Sequence, residues 1–320
     1  MMRRLSFLLL LVIGVIMLRT CGTFDRLFFY SGPGPGAPPA GVEQVFFATD
    51  SGVQLHGWWT PAEGPPEQAL GTVVHAHGNA MSVDNHHPIT AFLAEYGFNV
   101  FIFDYRGYGR SQGKIRRRED ALADLRAALA YVRTRADVDA RRLALFGHSI
   151  GGALSLMAAP DEPDLAAIVA VSPFASWRGV AASAVGGGDP PNALGRFIAR
   201  VLLRWDTEPI ERLPEIQQCP ILLLHGTRDE IVPYSHSQAL LAAGTAAEVA
   251  VSLRTVEGGD HNNLPLNEPP LAEELAGWLA LVLQGAELPP AASKPRRSGE
   301  AAEPPGEQEA APLSTGDPEG

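Results

Sequence analysis

The chain has 320 residues, 46% hydrophobic and 19% charged, the balance of a soluble globular protein with a substantial core. Its formal net charge of −11 argues against a nucleic-acid binder, which needs a basic face, although part of that acidity sits in the C-terminal tail. Two cysteines, Cys21 and Cys219, exclude a disulfide framework, and no Cys-x-x-Cys metal or redox motif occurs.

In chain order, Arg3-Arg4 precede an apolar run over 5–18 that is broken only by Ser6 and Gly14. This matches an export signal and is shorter than the ~18–20 residues that span a bilayer comfortably. The run ends at Leu18-Arg19-Thr20-Cys21-Gly22, which resembles a bacterial lipobox with Arg19 and Thr20 in place of the usual small residues. Residues 1–22 are therefore expected to attach the protein to a membrane, through a lipidated Cys21 or as an uncleaved signal anchor, with the remainder exported. Residues 23–42, Gly/Pro-rich over 31–41, are expected to be a linker, because that composition forms neither helix nor strand.

The folded domain is expected over 43–286. Runs 42–49 and 53–60 flank Asp50-Ser51-Gly52 and predict a hairpin. Strands are predicted at 72–77, 100–103, 142–146, 167–171, 221–224 and 248–256, and helices at 84–96, 119–135, 153–159 and 271–283. In the second of those helices Leu122, Leu125, Leu129 and Val132 share one face. Two antiparallel strands followed by alternating strand and helix predict an α/β fold: an eight-stranded, mostly parallel sheet with helices on both faces. Residues 287–320 are Pro, Ala, Glu and Ser with few large apolar side chains, and are expected to be disordered.

The chemistry centres on Gly147-His148-Ser149-Ile150-Gly151-Gly152, which lies between a strand and a helix. Such a turn strains its central residue and lifts Ser149 clear of the sheet, and glycines on either side let strand and helix approach. A serine hydroxyl needs a base, and the base an orienting acid. Two loops after predicted strands offer them: His225-Gly226-Thr227-Arg228-Asp229-Glu230 and Gly259-Asp260-His261. The order Ser149, Asp229, His261 is that of an α/β-hydrolase triad.

These motifs, with His77-Gly78-Asn79-Ala80 and Asp104-Tyr105-Arg106-Gly107-Tyr108-Gly109-Arg110-Ser111, make residues 43–284 resemble the α/β-hydrolase-fold serine hydrolases. The similarity is closest to a membrane-associated branch related to serine aminopeptidase-like and protein-depalmitoylating proteins. The resemblance implies that Ser149 attacks an acyl carbon, His261 moves the proton and Asp229 orients the imidazole. It also implies that the backbone N–H groups of Asn79 and Ile150 form an oxyanion hole, and that no metal or organic cofactor takes part.

Each role has a rival. His77, His148 and His225 lie beside glycines where bracing of loops is the ordinary role. Glu230 and Asp260 adjoin triad positions. Asp104-Tyr105-Arg106 is expected to tie a loop. Asp84 with His86-His87 has no zincin spacing and reads as a solvated helix start. Arg116-Arg117-Arg118 is a charged loop or a contact for anionic lipid. A small lid is expected over 173–215, between strands six and seven, with Phe174, Trp177, Phe197 and Trp205 lining an acyl pocket or, for Phe197, Val201 and Trp205, packing on the core. The expected activity is cleavage of a carboxylic ester or thioester in a small-molecule or acylated substrate. Alternatives are a peptidase of the serine aminopeptidase type and a catalytically silent scaffold.

Overall fold

The computed structural model describes residues 28–286 apart from 33, 35, 204 and 205. The expected attachment segment at 1–22 and tail at 287–320, with Cys21 and Trp205, lie outside the described residues. The described residues fall in the first of two units, Met1–Leu288 and Pro289–Gly320.

Eight strands form one sheet: β1 (Glu43–Ala48), β2 (Gln54–Thr60), β3 (Gly71–Ala76), β4 (Phe98–Asp104), β5 (Leu143–His148), β6 (Ala167–Val171), β7 (Ile221–Gly226) and β8 (Val251–Val256). Their spatial order is β1-β2-β4-β3-β5-β6-β7-β8. β2 runs antiparallel to β1 and β4, and the remaining pairs are parallel. Six longer helices accompany them among the described residues: α1 (Arg118–Arg133), α2 (Ile150–Ala158), α3 (Trp177–Gly186), α4 (Ala193–Leu202), α5 (Ser235–Ala246) and α6 (Leu271–Leu283).

The two-residue period of the strands divides the core. Val74, Leu143, Leu145 and Ile168 point to one face, where Leu125, Leu129 and Val132 of α1 and Leu154 of α2 cover them. Val73, Ala144, Phe146 and Val169 point to the other, against Leu275 and Leu279 of α6. With both faces buried, the central strands read as nearly continuous apolar runs. Among the described residues no helix is long and apolar enough to cross a membrane.

Several expectations are corrected. The helix read over 84–96 is broken into turns at Val83–His86, Pro88–Ala91 and Phe92–Ala94, because Pro88 has no N–H to continue the ladder. The last strand starts at Val251 rather than 248, since Glu248 takes a positive φ of 57° in the turn before it. α5 has no counterpart in the sequence reading. Its Ala-rich stretch buries only Ser237, Leu240 and Gly244, too few apolar residues to set a period.

The described part of the 23–42 segment is not a free spacer. Phe28 and Phe29 pack on Trp177 at ring distances of 5.1 and 6.1 Å, and the N–H of Gly32 reaches the carbonyl of Met81 at 3.4 Å. Trp177 and Phe174 therefore belong to the core, 1% and 3% exposed. Trp177 donates its Nε1–H to Met157 Sδ, and the Arg118 guanidinium lies 5.0 Å over its ring. Phe197, by contrast, is 64% exposed and does not pack on the core.

Candidate active site

β5 delivers Ser149 to the C-terminal edge of the sheet at φ 55°, ψ −116°, a conformation L-residues rarely hold. Its N–H is pinned to the carbonyl of Val171, at the end of β6, at 2.8 Å, and its carbonyl accepts from Ala153 in α2 at 3.1 Å. The turn is fixed from both sides, and the Ser149 side chain is left facing His261.

His261 Nε2 lies 2.9 Å from Ser149 Oγ, and His261 Nδ1 lies 2.7 Å from Asp229 Oδ2. With Nδ1–H donating to the carboxylate, Nε2 is left as the acceptor for the serine hydroxyl. Asp229 Oδ1 accepts the N–H groups of Ile231 and Val232 at 3.0 and 2.8 Å. Burial alone would raise the Asp229 carboxyl. Hydrogen bonds from His225 and His261 and the N–H of Val232 outweigh it and hold the group well below the usual carboxylate range. The acid thus stays ionised beside the imidazole.

The loops that carry acid and base are tied together. The N–H of Arg228 donates to the carbonyl of Gly259 at 2.9 Å, and that of Thr227 to Val256 at 3.1 Å. His225 braces the acid loop: Nε2 donates to the carbonyl of Val232 at 2.9 Å, near Asp229 at 3.1 Å, and Nδ1 meets Ser237 Oγ at 2.7 Å. His148 Nε2 donates to the carbonyl of His261 at 3.1 Å. Neither histidine reaches the serine. Glu230 is exposed, and Asp260 accepts from the N–H groups of Asn262 and Asn263. Asp229 is therefore the carboxylate that meets His261.

Beyond β3, the loop through Asn79 is a tight turn with Ala80 and Met81 at φ 65° and 60°. The Asn79 side-chain oxygen holds it together, accepting from Ala80 N at 2.8 Å, Tyr108 Oη at 2.7 Å and Tyr30 N at 3.2 Å. Among the described residues neither the N–H of Asn79 nor that of Ile150 donates to a protein acceptor outside regular elements. Ile150 opens α2, where the first N–H groups have no partner within the helix. Both amides are thus left without such an acceptor, Ile150 directly after Ser149 and Asn79 in the loop after β3.

Tyr108 and Tyr30 are neighbours of Asn79 that the motifs alone did not assign. The Asp104 side chain ties the same region, accepting from Val83 N at 2.9 Å and meeting His56 Nδ1 at 2.7 Å. Arg106 forks onto Asp124 at 2.7 and 2.9 Å. His86 and His87 point apart, to the carbonyl of Ala80 and to Thr60 Oγ1. Among the described residues no group of three or more His, Cys, Asp or Glu side chains is placed to hold a metal ion. A cavity of about 160 Å³ adjoins His261, between Ile89, Val171 and Leu264. Larger clefts of about 700 and 980 Å³ lie by Thr72, Asn99 and Arg142 and by Ala166 and Pro220, at the opposite edge of the sheet from Ser149.

Burial drives His75 and His77 well below the ordinary histidine range and His148 down to about 3, aided by mutual repulsion among the histidines. Above the unfolded value of ~6.5 these rings are neutral in both states. As pH falls below it the unfolded chain binds protons that the fold refuses, so stability drops, by about 2 kcal/mol at pH 5 for His148 and in the same direction for His75 and His77. Asp124, pushed up to about 6 by burial against the pull of Arg106, works in the opposite sense but is a single group. The melting temperature is therefore expected to fall by roughly 10 °C between pH 7.5 and 5, and a scan flat to within about 3 °C would contradict the neutral-histidine assignment.

A serine on a strained strand-to-helix turn, in a sheet of this order, with His261 and Asp229 on the loops after β8 and β7, defines the α/β-hydrolase fold. Comparison with known proteins agrees. The sequence profile described as Serine aminopeptidase, S33 matches residues 67–209. The uncharacterized protein YfhR of Escherichia coli K12 is 34% identical over 229 residues, covering 71% of this chain and 75% of the relative. Among solved structures, the Pyrococcus furiosus esterase Pf2001 superposes with a TM-score of 0.61 at 21% identity, covering 80% of this chain and 98% of the other. The acylaminoacyl peptidase of Pyrococcus horikoshii does so with a TM-score of 0.57 at 16% identity, covering 77% and 42%. The chain belongs to the α/β-hydrolase-fold serine hydrolases.

Proposed function

We propose that Ser149, His261 and Asp229 act as a catalytic triad that cleaves a carboxylic ester or thioester through an acyl-enzyme. The observation that carries this is the single imidazole bridging Ser149 Oγ at 2.9 Å and Asp229 at 2.7 Å. Ser149 Oγ attacks the acyl carbon while its proton passes to His261 Nε2. The carbonyl oxygen takes up negative charge facing the N–H groups of Asn79 and Ile150. Collapse expels the alcohol or thiol, which receives the proton from His261. Water then enters by the same route in reverse, and hydrolysis of the acyl-serine restores the enzyme.

The esterase neighbour and the apolar side chains around the site support an ester or thioester. The peptidase reading is kept by the matched profile. An aminopeptidase has also to hold an α-ammonium. Of the three carboxylates at or adjoining the triad positions, Asp229 is committed to His261 and Asp260 to the Asn262 and Asn263 amides, which leaves the exposed Glu230. Residues 1–22 are proposed to hold the catalytic domain at a membrane, outside the cytoplasm.

Turnover of p-nitrophenyl acyl esters of increasing chain length, set against aminoacyl p-nitroanilides, tests the substrate class. The expected result is ester turnover at least ~100-fold above amide turnover, since an intact oxyanion hole serves both but the amide requires a harder leaving group. Faster cleavage of aminoacyl amides would assign the enzyme to the peptidases.

A further inference from the structure

The α3–α4 hairpin exposes what a helix in water normally buries. α4 buries Gly195 and Ala199, half-buries Ile198, Val201 and Leu202, and leaves Leu194 and Phe197 65% and 64% exposed. A surface helix ordinarily places its large apolar side chains on the core, and Leu194 and Phe197 depart from that. The arrangement is fixed: a β-carbon on Gly195 would lie 2.4 Å from the carbonyl oxygen of Ala182, so α3 and α4 meet this closely only through small residues. The Asn192 side chain also caps α4 by accepting from the N–H of Gly195. Arg196 and Arg200 are exposed on the same helix, one turn apart. Large apolar residues beside a basic stripe are the composition of a helix lying in a membrane interface.

The start of the hairpin lies near the acid loop: a β-carbon on Gly179 of α3 would sit 2.9 Å from His236 Cε1. The N–H of Ala175 donates to His236 Nδ1 at 3.2 Å, in the first turn of α5, just past the acid loop. Asp189, between α3 and α4, is close enough to act on the same histidine. On the loops around Ser149, Met81, Ile231 and Tyr30 are also exposed, the first two beside Asn79 and Asp229 and the third joined to Asn79 through its backbone N–H. The described chain also begins here. Phe28 and Phe29 lie against Trp177, the first residue of α3, and the nine residues between the apolar run at 5–18 and Phe28 span at most about 30 Å.

We propose that Leu194 and Phe197, with Val185, Met81, Ile231 and Tyr30, seat on an anionic lipid bilayer, so that the mouth above Ser149 opens onto the membrane. The acyl group of the substrate then enters from the lipid. This rests on the hydrolase reading and on membrane attachment through residues 1–22, and it adds the orientation of the site.

The full-length chain is reconstituted with vesicles of phosphatidylcholine and phosphatidylglycerol. It carries an environment-sensitive fluorescent amino acid in place of Phe197 or, separately, of Leu281, an exposed residue of α6 near Gln284 at the opposite edge of the sheet. Lipids with a quencher on the acyl chain are expected to remove about half of the emission at position 197, because interfacial helices bury ~5–10 Å into the headgroup boundary, and to leave position 281 nearly unchanged. A chain that does not float with the vesicles, or equal quenching at both positions, overturns the proposal. So does a blue shift that needs no vesicles and grows with protein concentration, which would assign the face to a second copy of the chain. Fluorophosphonate labelling of Ser149 in the same vesicles reads the hydrolase separately, so loss of docking with labelling intact overturns docking alone.

Discussion

Ser149→Ala is expected to lower ester turnover by about 10⁴–10⁶-fold while leaving the melting temperature within a few degrees of the wild type. The size of the effect follows from the geometry. The hydroxyl is the atom His261 faces at 2.9 Å, and removing it leaves the imidazole, the carboxylate and both free amides in place but with no nucleophile. Residual rate would then come only from positioning and oxyanion stabilisation. Steady-state turnover of a p-nitrophenyl ester with a parallel thermal melt measures both. A fall of less than about tenfold would place the nucleophile elsewhere.

Gly151→Ala is expected to unfold the elbow rather than merely slow it. A β-carbon at Gly151 would lie 1.8 Å from the carbonyl oxygen of Ala76, 2.5 Å from its carbon and 2.7 Å from the carbonyl oxygen of His77. All three atoms are backbone at the end of β3, in the middle of the sheet, so no side chain can swing aside. α2 would have to lift off β3, and Ile150 would move away from the Asn79 loop with it. Overpacking of this severity costs more than about 4 kcal/mol, which at 2–4 °C per kcal/mol is a drop in melting temperature of roughly 8–16 °C or insoluble protein. Gly277→Ala is the control. It lies within α6 with nothing inside 4 Å of the added carbon and is expected to stabilise by ~0.5–1 kcal/mol. A soluble Gly151→Ala protein that melts like the wild type would contradict the close approach of α2 and β3.

Much of this was legible in the sequence because the parts concerned are local. A strand, a sharp turn and a helix are written in one run of residues around Ser149, and each parallel strand shows as an apolar run bounded by loop residues. The acid and the base could be narrowed to two loops by their position after strands. The resemblance already pointed to Asp229, and geometry sets aside its rivals Glu230 and Asp260, because adjacent residues differ only in where their side chains point.

What stayed hidden depends on distant contacts. Trp177 reads as a lid aromatic until Phe28 and Phe29 are seen beside it, and those two phenylalanines precede a stretch whose composition describes a spacer. The role of Tyr108 as a donor to Asn79 joins residues far apart in the chain. In α4 the sequence carries an apolar stripe, but only packing tells that its small residues face inward. The broken helix at Pro88 is different: the proline stands in the sequence, and its missing N–H is a local signal of the break.

Mapping the site of covalent modification tests the catalytic assignment most directly. The wild-type protein is treated with a fluorophosphonate, digested, and the adduct located by peptide sequencing in a mass spectrometer. The expected result is one adduct per chain, on Ser149, absent from the Ser149→Ala protein. An adduct on any other residue, or folded wild-type protein that takes none, would contradict it.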